Sequence, residues 1–170
     1  MSSKLRHAAA VGVALAVLMG SGSARTVEER AFREVVEAAD ACVIAALVST
    51  RYETVDGRAF TLSTFEVKET AFGAVGDRVV VRSAGGELDG TALPVTQVGD
   101  GAAGFLGGAD YLLVLDRADD GTRFVVSDEI RGTAMVRGSR VSLPTIGTLT
   151  VEDAVESVRG MRAGDGDFAQ

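Results

Sequence analysis

Three stretches of this 170-residue chain hold groups at spacings that chemistry uses. Gly99-Asp100-Gly101-Ala102-Ala103-Gly104 fits G-x-G-x-x-G, the spacing that turns a strand into a helix whose N-terminus faces a pyrophosphate. Only five residues separate Gly104 from the strand expected at Asp110. That leaves no room for the helix, so the stretch reads as a flexible loop rather than a cofactor site. Asp116, Asp119, Asp120 and Gly121 crowd acidic oxygens around one turn. The spacing lacks the alternating ligands and distal Glu of a calcium loop, and an acidic hairpin turn accounts for the same residues. Asp128-Glu129 pairs two carboxylates, but neighbours in an extended segment point to opposite faces and do not converge on one substrate atom.

Catalysis by histidine or cysteine has little to draw on. His7 is the only histidine and falls in the leader described below, so no His triad, imidazole base or His-ligated zinc is expected. Cys42 is the only cysteine, so no intramolecular disulfide can form. It lies in the most apolar run of the chain with no adjacent cation to lower its pKa, and reads as a small buried hydrophobe. Neither a G-x-S-x-G elbow nor a P-loop lysine is present. The expectation is therefore no enzyme, with no catalytic, metal or cofactor residue to assign. Tyr111 and Phe124 are expected in the core rather than on an aromatic platform.

The chain opens with the three regions of a secretory leader: basic Lys4, Arg6 and His7, apolar Ala8 to Met19, and small Gly22-Ser23-Ala24. Residues 1–24 are expected to be removed after Ala24, leaving one domain over 25–162, a frayed tail over 163–170 and no membrane span. Secreted or periplasmic localisation follows. The whole chain carries a formal charge of −7. Loss of Lys4 and Arg6 leaves 15 basic against 24 acidic side chains, a net −9. That charge argues against nucleic acid and anionic lipid surfaces as partners.

Periodicity then places the elements. Thr26 and Glu29 form a capping box, and Phe32, Val35, Val36 and Ala39 recur at helical spacing. Ala41 to Val48 is an unbroken apolar run, and Arg58 to Thr70 a second β-prone run; Asp56-Gly57 between them predicts a hairpin. Being apolar on both faces, the first strand must be covered on both. Further strands are expected at Arg78–Arg82, Asp110–Asp116, Arg123–Ser127, Ala134–Val136 and Arg140–Leu143. Between Ser83 and Ala109 only Ala92 to Val98 reads as extended, on an edge because of Pro94. Thr150 and Asp153 open a final helix with Val151, Ala154, Val155 and Val158 on its apolar stripe, ended by Gly160. A mainly β fold follows: a small antiparallel barrel of about five strands with a helix at each end.

The run Ala39 to Val48 resembles the opening strand of tissue-inhibitor-of-metalloproteinase and netrin-like (NTR) modules. Phe65 to Gly73 resembles their second strand and turn; Gly107 to Leu115, the Asp120-Gly121 turn and Arg123 to Ser127 resemble their later hairpin. The same spacing is similar to that of uncharacterised exported bacterial proteins. The resemblance spans roughly residues 38–137, and implies an OB-like barrel with the Cys42, Ile44, Ala46 and Val48 set turned inward. It also implies a non-enzymatic binding module whose partner is an exported protein, a protease being one candidate; the alternative is a small exported enzyme or ligand carrier using carboxylates and Gly-rich loops at one barrel end. In the animal inhibitors an N-terminal cysteine chelates the protease zinc. The expected mature start here is Arg25-Thr26, and the family's disulfide cysteines are absent. That inhibitory chemistry therefore does not carry over, because fold alone does not fix function.

Overall fold

A computed structural model describes residues 32–88, 91–93, 105–118, 120–128 and 131–164. The leader, the Thr26–Glu29 capping box, the Gly99–Gly104 stretch, Asp119, Glu129 and residues 165–170 lie outside the described residues. The fold is mainly β, with a helix before the first strand and another after the last. A helix over residues 32–38, α1, buries Phe32 and Val36. β1 (Ala41–Val55) and β2 (Arg58–Phe72), 15 residues each, then form an antiparallel hairpin. Asp56 and Gly57 at its tip have φ of 51° and 73°. Those positive values at both central residues define the type I′ turn, whose twist matches that of the strands it joins.

The remaining strands assemble around this hairpin: β3 (Arg78–Ala84), β4 (Gly86–Leu88), β5 (Thr91–Leu93), β6 (Asp110–Arg117), β7 (Phe124–Val126), β8 (Thr133–Arg137), β9 (Arg140–Leu143) and β10 (Gly147–Thr150). β4 and β5 pair separately, and the other eight make one sheet in the order β1-β2-β3-β7-β6-β8-β9-β10, with β1 also pairing with β6. β6 lies beside β1 while β1, β2 and β3 follow one another as antiparallel neighbours. This is a Greek key. β7 pairs with both β6 and β3, which closes the circuit β1-β2-β3-β7-β6 into a five-stranded ring. The sheet is not antiparallel throughout: β3 and β7 run parallel and meet at one register pair, Val81 with Phe124. Parallel neighbours brought together from distant parts of the chain leave no short-turn signal in sequence.

Two apolar layers occupy the two faces of β1. Val43, Phe65, Val81, Leu113 and Phe124, one or more from every strand of the ring, pack together as its filling. Cys42, Ile44, Leu112 and Val114 point the other way, toward Phe32, Val36 and the final helix. The expectation that the Cys42 set turns inward is thus corrected: Val43 and its neighbours at alternate positions fill the ring, and Cys42 and Ile44 face the helices. Cys42, Val43, Ile44 and Ala45 are all buried, so alternation alone could not choose between the two sets.

The second helix, α2 (Val151–Ala163), begins as its residues require. Thr150 accepts at its hydroxyl from the Asp153 N–H at 3.1 Å, and Ala154, Val155, Val158 and Met161 are buried. It does not stop at Gly160. The turn continues because Met161 packs into the helix-facing layer, and Gly164, with φ 77°, supplies the left-handed cap instead. Arg159 clamps the helix to the end of β2, donating to the carbonyls of Ala71 at 3.1 Å and Thr70 at 2.9 Å. Arg162 reaches back to the carbonyl of Glu37, joining α2 to α1. No helix among the described residues is long and apolar enough to cross a membrane.

Candidate functional site

Those residues weighed for chemistry that are described are occupied by structure. Burial pushes the Cys42 thiol up to about 12, so the side chain stays protonated and is no nucleophile at neutral pH. Asp120 Oδ1 accepts from the backbone N–H of Thr122 at 2.9 Å and of Arg123 at 3.0 Å, and from the Thr122 hydroxyl at 3.2 Å. The Thr122 N–H, foremost, holds the Asp120 carboxyl below its ordinary range. Asp120 is therefore the clasp of the β6–β7 turn. Asp116 sits on β6, opposite Val125. Among the described residues no group of three or more His, Cys, Asp or Glu side chains is arranged to hold a metal ion.

Asp128 likewise builds a turn: Oδ1 accepts from the Arg131 N–H at 2.8 Å, and its carbonyl accepts from Gly132 N–H at 2.7 Å. Tyr111 and Phe124 are buried in the ring. The Tyr111 hydroxyl accepts from Leu106 N–H at 2.7 Å, and Phe65, Phe105 and Tyr111 meet edge to face. These aromatics pack against one another in the ring-filling layer.

Two surfaces remain. The first is the outer half of β1. Its edge away from β2 is paired with β6 only over Ala41–Ala46, and Leu47 N–H then donates to Ala109 O at 3.2 Å. From Ser49 to Val55, among the described residues, β1 is paired on its β2 side alone. Val48 stands at a register shift in the hairpin, and Val48, Tyr52 and Val55 are all exposed. Arg123 forms an ion pair with Glu53, which ties this projecting arm to the β6–β7 turn. Sequence reasoning ended the first strand near Val48, because Ser49-Thr50-Arg51-Tyr52-Glu53-Thr54 has no apolar face to bury. A strand exposed on both faces carries no burial pattern; only the Asp56-Gly57 turn, placed eight residues on, signals that the strand must continue to reach it.

The second surface is a cleft of about 610 Å³ over β8, β9 and β10. Thr133, Met135 and Arg137 alternate along β8 on the face that turns away from the helices, with Arg140 and Ser142 of β9 and Thr148 of β10 beside them. No sequence reading singled these residues out. The available signal was Arg137-Gly138-Ser139-Arg140: a two-residue turn sets its flanking residues directly opposite, so the two arginines had to meet. No protein-family model matches this chain, and no curated protein matches it.

Proposed function

We propose that this chain is an exported, non-enzymatic binding module of the netrin-like kind, and that its partner is another exported protein, with extracellular proteases the first class to test. The edge of β1 between Ser49 and Val55, open among the described residues, carries the reading. A strand paired on one side offers a row of N–H and C=O groups to which an extended segment can add, and exposed Val48, Tyr52 and Val55 supply side-chain contacts beside that row. In a type I′ hairpin the residues flanking the turn bond to each other. Val55, Glu53 and Arg51 therefore spend their backbone groups on β2, while Thr54, Tyr52 and Thr50 direct theirs to the open edge. Support for the netrin-like assignment comes from the five-stranded Greek-key ring with a helix at each end, which is the architecture that the resemblance implies.

The test is site-specific photocrosslinking in the native exported fraction, with the crosslinker at Tyr52 or, as a control, at Glu156 on α2. One partner protein is expected at Tyr52 and not at Glu156, and the purified pair should lose binding with Thr50→Pro, which removes one outward N–H and leaves the β2 ladder intact. Identical adducts at both positions, or undiminished binding by Thr50→Pro, would overturn the assignment of the edge. Turnover in a broad hydrolase screen, lost in no-protein controls, would overturn the non-enzymatic part.

A further inference from the structure

The cleft over β8, β9 and β10 carries an inference of its own, on strands other than the arm. Arg137 and Arg140 are register partners across the β8–β9 hairpin. Like charges directly opposite one another in a sheet repel, so such a pair calls for an anion. The described residues provide none: their ion pairs engage Lys68, Arg123, Arg131 and Arg159, and neither Arg137 nor Arg140 has a carboxylate partner among them. This is notable in a chain whose formal net charge is −7. Arg140 is nonetheless fixed in place, because one of its terminal nitrogens donates to the carbonyl of Thr148 at 3.0 Å. Its remaining N–H groups stay available for a second acceptor.

A third group makes the same demand. Thr133, 7% exposed, lines the cleft, and its hydroxyl has no hydrogen-bond partner among the described residues. A buried hydroxyl left unpaired is costly, and a ligand oxygen would satisfy it. Ser142 and Thr148 share a hydrogen bond of 2.7 Å across the β9–β10 ladder, so one lone pair or proton of that couple can also turn to a ligand. Met135 and Pro144 give the cleft its apolar part. Two guanidiniums, a buried free hydroxyl and an apolar wall define the chemistry of the occupant.

We propose that this cleft binds a small amphipathic anion, its carboxylate or phosphate headgroup held by Arg137, Arg140 and the Thr133 hydroxyl, and its apolar body laid against Met135 and Pro144. Guanidinium forks match either headgroup in two-point contact. Isothermal titration of the purified full chain with hexanoate, hexyl phosphate, hexanol and inorganic phosphate tests it. At least one of the two amphipathic anions should bind tenfold or more tighter than hexanol, and tighter than inorganic phosphate; the better of the two identifies the headgroup. The double variant Arg137→Gln/Arg140→Gln should weaken that binding at least tenfold, whereas Arg78→Gln, at an exposed position on β3, should not change it. Thr133→Val, nearly the same shape without the hydroxyl, should weaken binding several-fold without lowering the melting temperature. Should Thr133→Val fail to fold, backbone amide shifts of the unaltered protein on titration take its place, and must move at Thr133 and Arg140. Equal binding of hexanol, binding indifferent to the two arginines, or no heat and no amide shifts with any probe at millimolar concentration would overturn the proposal.

Discussion

Cys42 lies directly across the β1–β6 ladder from Val114, on the side of the sheet that faces the two helices. The thiol is sealed between strand and helix, and its protonation is coupled to folding. Its pKa is about 12 in the folded chain, against an ordinary value near 9. The unfolded thiol therefore ionises first as pH rises. Stability from this group is complete below about pH 9 and is lost as pH climbs toward 12, at up to about 1.4 kcal/mol per pH unit. Comparing urea unfolding of the unaltered protein and Cys42→Ala across that window isolates the effect from the tyrosines and Lys68. The unaltered protein should show the steeper decline, and thiol reagents should label Cys42 only on unfolding.

The two apolar layers that flank β1 should be equally intolerant of truncation. Ile44→Ala, in the helix-facing layer, and Phe65→Ala, inside the ring, are each expected to cost about 2–5 kcal/mol through the cavities they leave. Val48→Ala on the exposed arm should stay within about 0.5 kcal/mol, as surface changes do. Denaturant midpoints at constant m-value measure all three. A mild Ile44→Ala would mean that the helices do not press on the sheet.

Gly73 and Gly57 provide a paired test of backbone strain. Both have positive φ, 94° and 73°. A Cβ on Gly73 would lie 2.5 Å from the Asp40 carbonyl oxygen and 2.6 Å from the Ala41 Cβ, whereas one on Gly57 would meet open space. Gly57→Ala should cost about 1–2 kcal/mol, the left-handed penalty alone. Gly73→Ala adds a clash with backbone and should cost clearly more, read as the larger fall in melting temperature.

At α2, Thr150→Ala removes the acceptor for Asp153 N–H and should destabilise by about 0.5–2 kcal/mol. Thr150→Ser keeps the oxygen and should stay close to the unaltered protein. Hydrogen exchange of the first-turn amides of α2 would locate the loss.

Local chemistry was legible in the sequence wherever one segment decided the outcome. Asp56-Gly57 specified the hairpin, Thr150 and Asp153 the start of α2, and the spacing of Phe32 and Val36 the buried face of α1. What escaped depends on segments far apart. Which face of β1 fills the ring is decided by β2, β3, β6 and β7 jointly, because Cys42 and Val43 are equally suited to burial. Gly160 looked like a stop because nothing nearby revealed that Met161 has a pocket to fill. The cleft was missed for a related reason: Arg137 and Arg140 are ordinary surface residues until the fold sets them in one cleft with Ser142 and Thr148 of neighbouring strands.

The two pairings of β1 differ in how soon they become possible. Its partner over residues 58–72 follows within a two-residue turn, but its other partner, Asp110–Arg117, lies some forty residues beyond the end of β2. On a chain emerging N-terminus first, β1 and β2 can zip together while the β6-facing edge of Ala41–Ala46 stays bare until residue 115 has arrived. The seam between β3 and β7, a single register pair, can be sewn only after that. Pairing of strands across such spans is intrinsically slow, because the loop entropy is lost before the contacts form. The buried half of β1 thus waits with one edge bare while some sixty further residues are made, and a chaperone that shields Ala41 to Leu47 during that interval should raise the yield of folded protein.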